Sequence, residues 1–386
     1  MLFNIPLAWL QLTKEKRRLL VAIAGISFAD ILMFLQLGFQ SALFSSAVRL
    51  HETLQGDIFL ISSQSTSLIA MKSFSQRRLY QALAFPGAES ITSIYLNTVL
   101  WKNPYTRETR GILVLGFNPK ESVMALPEIE QNLDKIKIQG RVLFDAASRD
   151  QFGTKEIIED VTNGKSVSTE VGSKRIEVAG LYKLGASFGA DGTIVTSDVT
   201  FREIFPSSEP SFIDVGVVRV KPETDVEALV KQMRQTLPTD ITVFSKEEFI
   251  EFELNYWRTG TAIGFIFTLG TIMGFIVGII IVYQILYTDV TDHLPEYATL
   301  KAMGYKDLYL LGVVLKEALI LAILGYFPGM TISFFLYNLT RNATSLPMIM
   351  SLSRAIVVLI LTVIMCYFSG AIAVRKLSSA DPADIF

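Results

Sequence analysis

Hydrophobic positions fall into two textures along the chain. In four stretches they run almost unbroken, and between the first and second stretch they alternate with polar positions at the periods of strands and amphipathic helices. A helix needs roughly 20 apolar residues to cross a hydrocarbon core of about 30 Å. The runs at 19–43, 258–287, 308–337 and 354–374 meet that length and predict four transmembrane helices, one followed much later by three. The second run carries no charge from Gly260 to Tyr287, and Trp257, Tyr283 and Tyr287 stand at its borders, where interfacial aromatics are favoured. Lys14, Lys16, Arg17 and Arg18 precede the first run as they would a secretory signal, but a cleavable apolar region spans only about 7–15 residues. This run continues past Phe39, which predicts an uncleaved span.

Basic residues set the expected orientation. The Lys14–Arg18 cluster and Arg375-Lys376 flank the outermost spans, so the positive-inside rule places both termini in the cytoplasm. Residues 44–257 and the short turn 338–353 then lie outside. The turn 288–307, carrying Lys301 and Lys306, and the tail 375–386 lie inside. Ahead of the first span, Ile5, Leu7, Ala8, Trp9, Leu10 and Leu12 predict an interfacial amphipathic helix over 1–18; a solvated extension of the first span is the alternative.

Between His51 and Trp257 the pattern is that of an α+β domain. Strands are predicted at Asp57–Ile61, Ile91–Trp101, Asp214–Val220 and Ile241–Phe244, with helices at Gln76–Leu83 and Asp225–Leu237. This places a β-α-β unit on each arm of the insert, 44–105 and 206–257, able to complete one split βαβ sheet. The middle, 106–205, reads as an inserted mainly β lobe with strands at Gly111–Phe117, Lys174–Tyr182 and Gly192–Thr196. Glu247–Trp257 predicts a helix running straight into the second span, either a mechanical link or a plain connector.

Composition sharpens this layout. Half the residues are hydrophobic, mean hydropathy is +0.41 and 19% are charged, against about 25% in globular domains. With 35 basic and 37 acidic side chains there is no basic excess of the kind nucleic-acid binding needs. The lone Cys366 excludes an intramolecular disulfide, and with His51 and His293 far apart no metal-ligand spacing exists. The sequence contains no G-x-x-x-x-G-K-[ST] loop, no G-x-S-x-G elbow and no H-E-x-x-H pair. No catalytic residue, metal or cofactor is therefore assigned to this chain, and ATP with its magnesium is expected on a partner.

Two features within the apolar runs, and one in a turn between them, invite a role. Gly270, Gly274 and Gly278 form a small-residue stripe, suited to a dimer seam or to packing within one subunit. Asp30, Lys316 and Glu317 are intramembrane charges, costly unless paired. Asp30 and Lys316 sit at depths differing by only about 5 Å, which predicts a pair; snorkelling of Lys316 with a protonated Asp30 is the rival. In the turn 288–307, Pro295 can start a short helix, Glu296 suits its first turn and Gly304 can end it. Leu300 and Met303 would then share one face.

This turn carries a resemblance. Glu296-Tyr-Ala-Thr-Leu-Lys-Ala-Met-Gly304 resembles the E-x-x-T-L-K/R-A-x-G segment of the MacB/FtsX class of ABC-transporter permeases, as does the one-then-three arrangement of spans. Glu317 followed by Gly325 and Gly329, and the end Ala380-Asp-Pro-Ala383, are similar to further segments of that class. Within it, AWLQLTKEKRRLLVAIAGISFADILMFLQLGF, SFSQRRLYQAL and LFDAASRDQFG resemble the cyanobacterial DevC permeases. The resemblance implies an inner-membrane permease of an ATP-driven exporter, working with a separate cytoplasmic ABC ATPase, a membrane-fusion adaptor and, indirectly, an outer-membrane channel. In the heterocyst member of that subfamily the cargo is glycolipid. It implies that Glu296, Leu300, Lys301, Met303 and Gly304 dock on the ATPase. Four spans make a thin pathway for a hydrophilic solute, so a homodimer moving lipid-like or periplasmic cargo is expected. The alternatives are lipoprotein release and a membrane receptor or sensor. The receptor would need an internal output domain, and every stretch predicted inside is short.

Overall fold

The computed structural model describes Trp9, residues 14–344 and residues 346–378. Most of the predicted interfacial helix at 1–18 and the Ala380–Ala383 end lie outside the described residues. The chain divides into two compact units, one from 1–42, 262–344 and 348–386, the other from 43–261 with 345–347.

The first helix, α1 (Lys16–Thr53), has 38 residues, about 57 Å at 1.5 Å per residue. It runs ten residues past the predicted membrane edge because Leu43, Ala47, Leu50 and Leu54 extend one buried stripe at helical spacing, with Ser46 and His51 on the same face.

In the second unit, β1 (Ile58–Ser62) is followed by β2 (Phe74–Ser75), α2 (Arg77–Leu83) and β3 (Ala88–Lys102), a strand of 15 residues. Next come β4 (Thr109–Phe117), α3 (Pro127–Ile136), β5 (Arg141–Asp145) and α4 (Thr154–Thr162), then β6 (Val167–Val171), β7 (Lys174–Tyr182), β8 (Thr193–Ser197) and α5 (Asp198–Ile204). The chain returns through β9 (Phe212–Ile213), β10 (Val215–Val220), α6 (Val226–Thr236), β11 (Ile241–Ser245) and α7 (Lys246–Asn255). Short polar caps set these helices: Asp225 accepts from Ala228 N, and Ser245 with Glu248 forms a capping box.

Nine strands form one sheet in the order β11-β1-β10-β3-β4-β8-β5-β7-β6. In β11-β1-β10-β3 every neighbour is antiparallel, so each β-α-β unit is split by a strand of the other. β3 changes partner along its length: Ala88–Ile94 pair with β10, and Ile94–Lys102 pair with β4. At its far end Trp101 also pairs with Val171 of β6, which closes β3, β4, β8, β5, β7 and β6 into a six-stranded ring. Trp101 is fully buried, donates its indole N–H to Phe152 O at 3.2 Å and lies 5.2 Å from the Phe144 ring. The middle segment thus completes a closed ring with the outer half of β3 and carries three helices, α3, α4 and α5, that alternation alone did not mark.

Asp145 ends β5 as a fully buried acceptor. Its carboxylate takes the backbone N–H groups of Ala147, Leu184 and Gly185 and the Thr193 hydroxyl. Burial pushes this carboxyl above the ordinary carboxylate range, while those donors pull the other way. Glu253, on α7, plays a similar part: it accepts from Leu68 N at 2.7 Å and from the Trp257 indole at 2.8 Å, and burial raises its carboxyl too.

The predicted continuous helix over Glu247–Trp257 into the second span does not form. After α7 the backbone makes a π-helical turn, Tyr256–Gly260, and Thr261 is extended at φ −125° and ψ 158° before the next helix begins.

The first unit comprises α1 up to residue 42, α8 (Ala262–Asp292), α9 (Leu294–Ala302), α10 (Asp307–Thr344, with Pro328 inside it) and α11 (Leu352–Ser378). Four helices, Lys16–Thr53, Ala262–Asp292, Leu308–Thr344 and Leu352–Val374, are long and apolar enough to cross a membrane. They meet on small and medium side chains, among them Ala22, Ala29, Val282, Ala318, Ala322 and Ala373. The outer face of α8 is apolar and open, with Phe265, Leu269, Ile276 and Ile280 exposed as expected of a lipid-facing surface.

Candidate functional site

The segment singled out by sequence, Glu296–Gly304, folds as α9 and the turn that follows it. Pro295 lies in the first turn with Glu296, and Gly304 ends the helix at φ +94°, a backbone conformation costly for a residue with a Cβ. Tyr297 and Ala298 are buried, and Leu300 packs against the cluster of Val290, Tyr297, Leu310 and Val314. Met303 follows the last helical residue, Ala302, and turns outward at 63% exposure. Leu300 packs inward while Met303 is exposed, so the two do not present a common apolar edge. The outward surface is instead formed by Met303, Tyr305, Leu308 and Tyr309, all exposed, with the two tyrosine rings 4.7 Å apart. The sequence reading missed the last three. Their signal was available: three large apolar or aromatic residues within five positions of a glycine stop, interrupted by Lys306 and Asp307.

The intramembrane charges separate. Asp30 is fully buried and meets the Thr362 hydroxyl at 2.5 Å, beneath Gly329 of α10. Lys316 is exposed, and the expected Asp30–Lys316 pair is not made. The reason is helical: residues 316 and 317 point about 100° apart, and Glu317 takes the inward direction, fully buried. Gly325 and Gly329 let α10 approach α1. A Cβ on Gly325 would lie 2.5 Å from Ile26, one on Gly329 would lie 2.9 Å from Asp30 Cβ, and Ser27 donates to Gly325 O across the same contact.

The glycine stripe of α8 is occupied by the chain itself. A Cβ at Gly270 would meet Gln36 at 2.5 Å, one at Gly274 Met33 at 3.3 Å, and one at Gly278 Met365 at 2.0 Å and Ala29 at 2.9 Å. These glycines bring α8 against α1 and α11, and a dimer contact on the stripe would have to displace them.

A further cluster, not singled out by sequence, lies at the end of the bundle that carries α9. Arg18 bonds Glu15 at 3.0 Å, Asp289 at 3.4 Å and Asp292 at 2.9 Å, tying the start of α1 to the last turn of α8. His293 Nδ1 lies 3.0 Å from Asp289 O and 3.7 Å from Asp289 Oδ1. Arg18 had been counted only as part of a basic flank.

No curated protein matches the chain. Among solved structures, the periplasmic region of MacB from Actinobacillus actinomycetemcomitans is similar at 9% identity, over 54% of this chain and 96% of that one, with a TM-score of 0.36. The extracellular domain of the noncanonic ABC-type transporter YknZ from Gram-positive bacteria is similar at 12% identity, over 49% and 100%, with a TM-score of 0.33. A domain of a putative permease protein from Porphyromonas gingivalis is similar at 11% identity, over 50% and 89%, with a TM-score of 0.29. Residues 267–382, from the second span to the end of the last and including α9 and its exposed turn, match the family of FtsX-like permease C-terminal domains.

Proposed function

We propose that this chain is the permease subunit of an ATP-driven ABC exporter, in which a separate cytoplasmic ATPase drives movement of the sheet-bearing unit on the other side of the membrane. The observation that carries this reading is the row of exposed side chains Met303 and Tyr305 after α9 and Leu308 and Tyr309 in the first turn of α10, set within the family-matched segment beside a short helix whose other face is anchored in the bundle. Met303 and Tyr305 lie in the turn ahead of the third span, where a solvated loop has no need of large exposed apolar or aromatic side chains, whereas a groove on a partner subunit would bury them, with Leu308 and Tyr309 at its edge.

The finer reading follows the resemblance to DevC permeases. It has the chain as a homodimer in a bacterial inner membrane, passing lipid-like or periplasmic cargo to a membrane-fusion adaptor and an outer-membrane conduit. Lipoprotein release is the second reading, since the same force-transmitting architecture would serve it.

The direct test is purification of the tagged chain in mild detergent from its native membrane. Co-purification of a P-loop ATPase supports the reading, and its absence under conditions that keep the chain intact overturns it. Topology has its own test. Asn163 and Thr299 are both exposed, and Cys366, the chain's own thiol, is buried. In a Cys366→Ala background an impermeant thiol reagent applied to intact spheroplasts is expected to label Asn163→Cys and spare Thr299→Cys until the membrane is opened. Labelling of both from outside would refute an internal α9.

A further inference from the structure

Glu317 is fully buried, and neither of its carboxyl oxygens has a hydrogen-bond donor. It lies within hydrogen-bonding reach of Asp289, whose Oδ2 also lacks a donor. The other Asp289 oxygen is accounted for by Arg18 at 3.4 Å, with His293 Nδ1 3.7 Å away. An ionised carboxylate is an acceptor only. Two of them facing each other in a dry contact would leave three oxygens unsatisfied and set like charges side by side, an arrangement that buried sites do not sustain. A single proton placed between them satisfies both, one carboxyl donating to the other.

We propose that Asp289 and Glu317 form a one-proton binding site that clamps the last turn of α8 to α10, on either side of the short helix α9. The charged groups around it are Arg18 from α1, Glu15 just ahead of α1, and His293 from the α8–α9 junction. Arg18 already serves Glu15, Asp289 and Asp292, so its positive charge is spread over three acids and does not neutralise Glu317 as well. Among the described residues no three His, Cys, Asp or Glu side chains converge as a metal would require, which favours the proton over a metal ion. A crevice of about 10 Å³, bounded by Glu15, Arg18, Ile285, Asp289 and Leu321, has room for roughly one water beside Asp289. With the proton bound the clamp is closed by a hydrogen bond. Without it, two carboxylates repel across the contact, and α8 and α10 are driven apart at the point where α9 joins them. This inference concerns the bundle alone and stands whether or not a partner ATPase exists.

The test uses the purified full-length chain in detergent. The infrared difference spectrum of wild type minus Glu317→Gln, taken at neutral pH, is expected to show the carbonyl stretch of one protonated carboxyl. Asp289→Asn should remove the same band, because one proton serves both residues. Thermal unfolding of the wild type is expected to fall in temperature between neutral and alkaline pH as the proton is lost, and Glu317→Gln, whose amide supplies the donor permanently, should flatten that fall. Should Glu317→Gln fail to accumulate, Asp289→Asn and the alkaline loss of the band in wild type carry the test. Absence of the band from the difference spectra, or a wild-type stabilisation by sodium or calcium that Glu317→Gln abolishes, would overturn the proposal.

Discussion

Leu308→Asp is expected to leave the chain in the membrane at wild-type abundance while ATPase co-purification is lost. Leu308 is 79% exposed in the first turn of α10, at the border of the third span, where a charge can reach the interface and costs the fold little. At a docked apolar contact the same charge would be buried without a partner, at about 2 kcal/mol or more, which is at least a thirtyfold loss of affinity. Met303→Asp should act in the same direction. Leu300→Asp is the instructive contrast. Its side chain packs against Val290, Leu310 and Val314, so the charge would enter the bundle and the chain should fail to accumulate. Quantitative blotting of membranes alongside the pull-down separates the outcomes. Wild-type ATPase recovery with Leu308→Asp would move the docking surface elsewhere.

The second large effect is expected at Trp101→Ala, with a loss of about 3–5 kcal/mol in the stability of the sheet unit. That is a sizeable share of the 5–15 kcal/mol typical of a whole domain. Trp101 is the residue through which β3 meets Val171 of β6, and it fills the ring beside Phe144 while holding Phe152 O. Removing it opens a cavity and unpairs the closing strand together. Leu100→Ala, one residue earlier and 57% exposed, should change stability by no more than about 0.5 kcal/mol. Limited proteolysis of the purified chain reads both: the first should be cut within 106–205 at lower temperature, the second as wild type. Equal resistance of Trp101→Ala would show that the ring is held closed by its other strands.

Much of the local structure was legible because it is written at short range. The alternation of Ile91–Trp101 announced β3, and Asp225 and Pro238 bracketed α6. The apolar runs announced the spans, although α1 outran its prediction because the amphipathic stripe Leu43–Leu54 continues a helix that hydropathy alone would end. Pro127 with Glu128 was a start signal for α3 that went unread beside the stronger strand pattern. What lay beyond reach was pairing across the chain. Arg18 and Asp289 are 271 positions apart, and nothing in either neighbourhood names the other. Asp30 and Lys316 were matched by depth alone, but depth along a helix leaves its rotation free, and rotation gave the inward position to Glu317. The same limit applies to Leu300 and Met303: their spacing puts them near one another, but the rotation of α9 decides that Leu300 faces the bundle and Met303 is exposed.

The partner change along β3 bears on how the sheet unit would carry load. At about 3.3 Å per residue its 15 residues span about 50 Å, with the inner half laddered to β10 and the outer half to β4. Tension along this strand loads both ladders in shear, so their hydrogen bonds share the strain instead of parting one at a time. The ring and the four-stranded base are for that reason one stiff lever rather than two parts on a joint, and the segment 106–205 is no detachable cassette: cut away, it would strip the outer half of β3 of its neighbours and leave a bare edge open to pairing with any strand nearby.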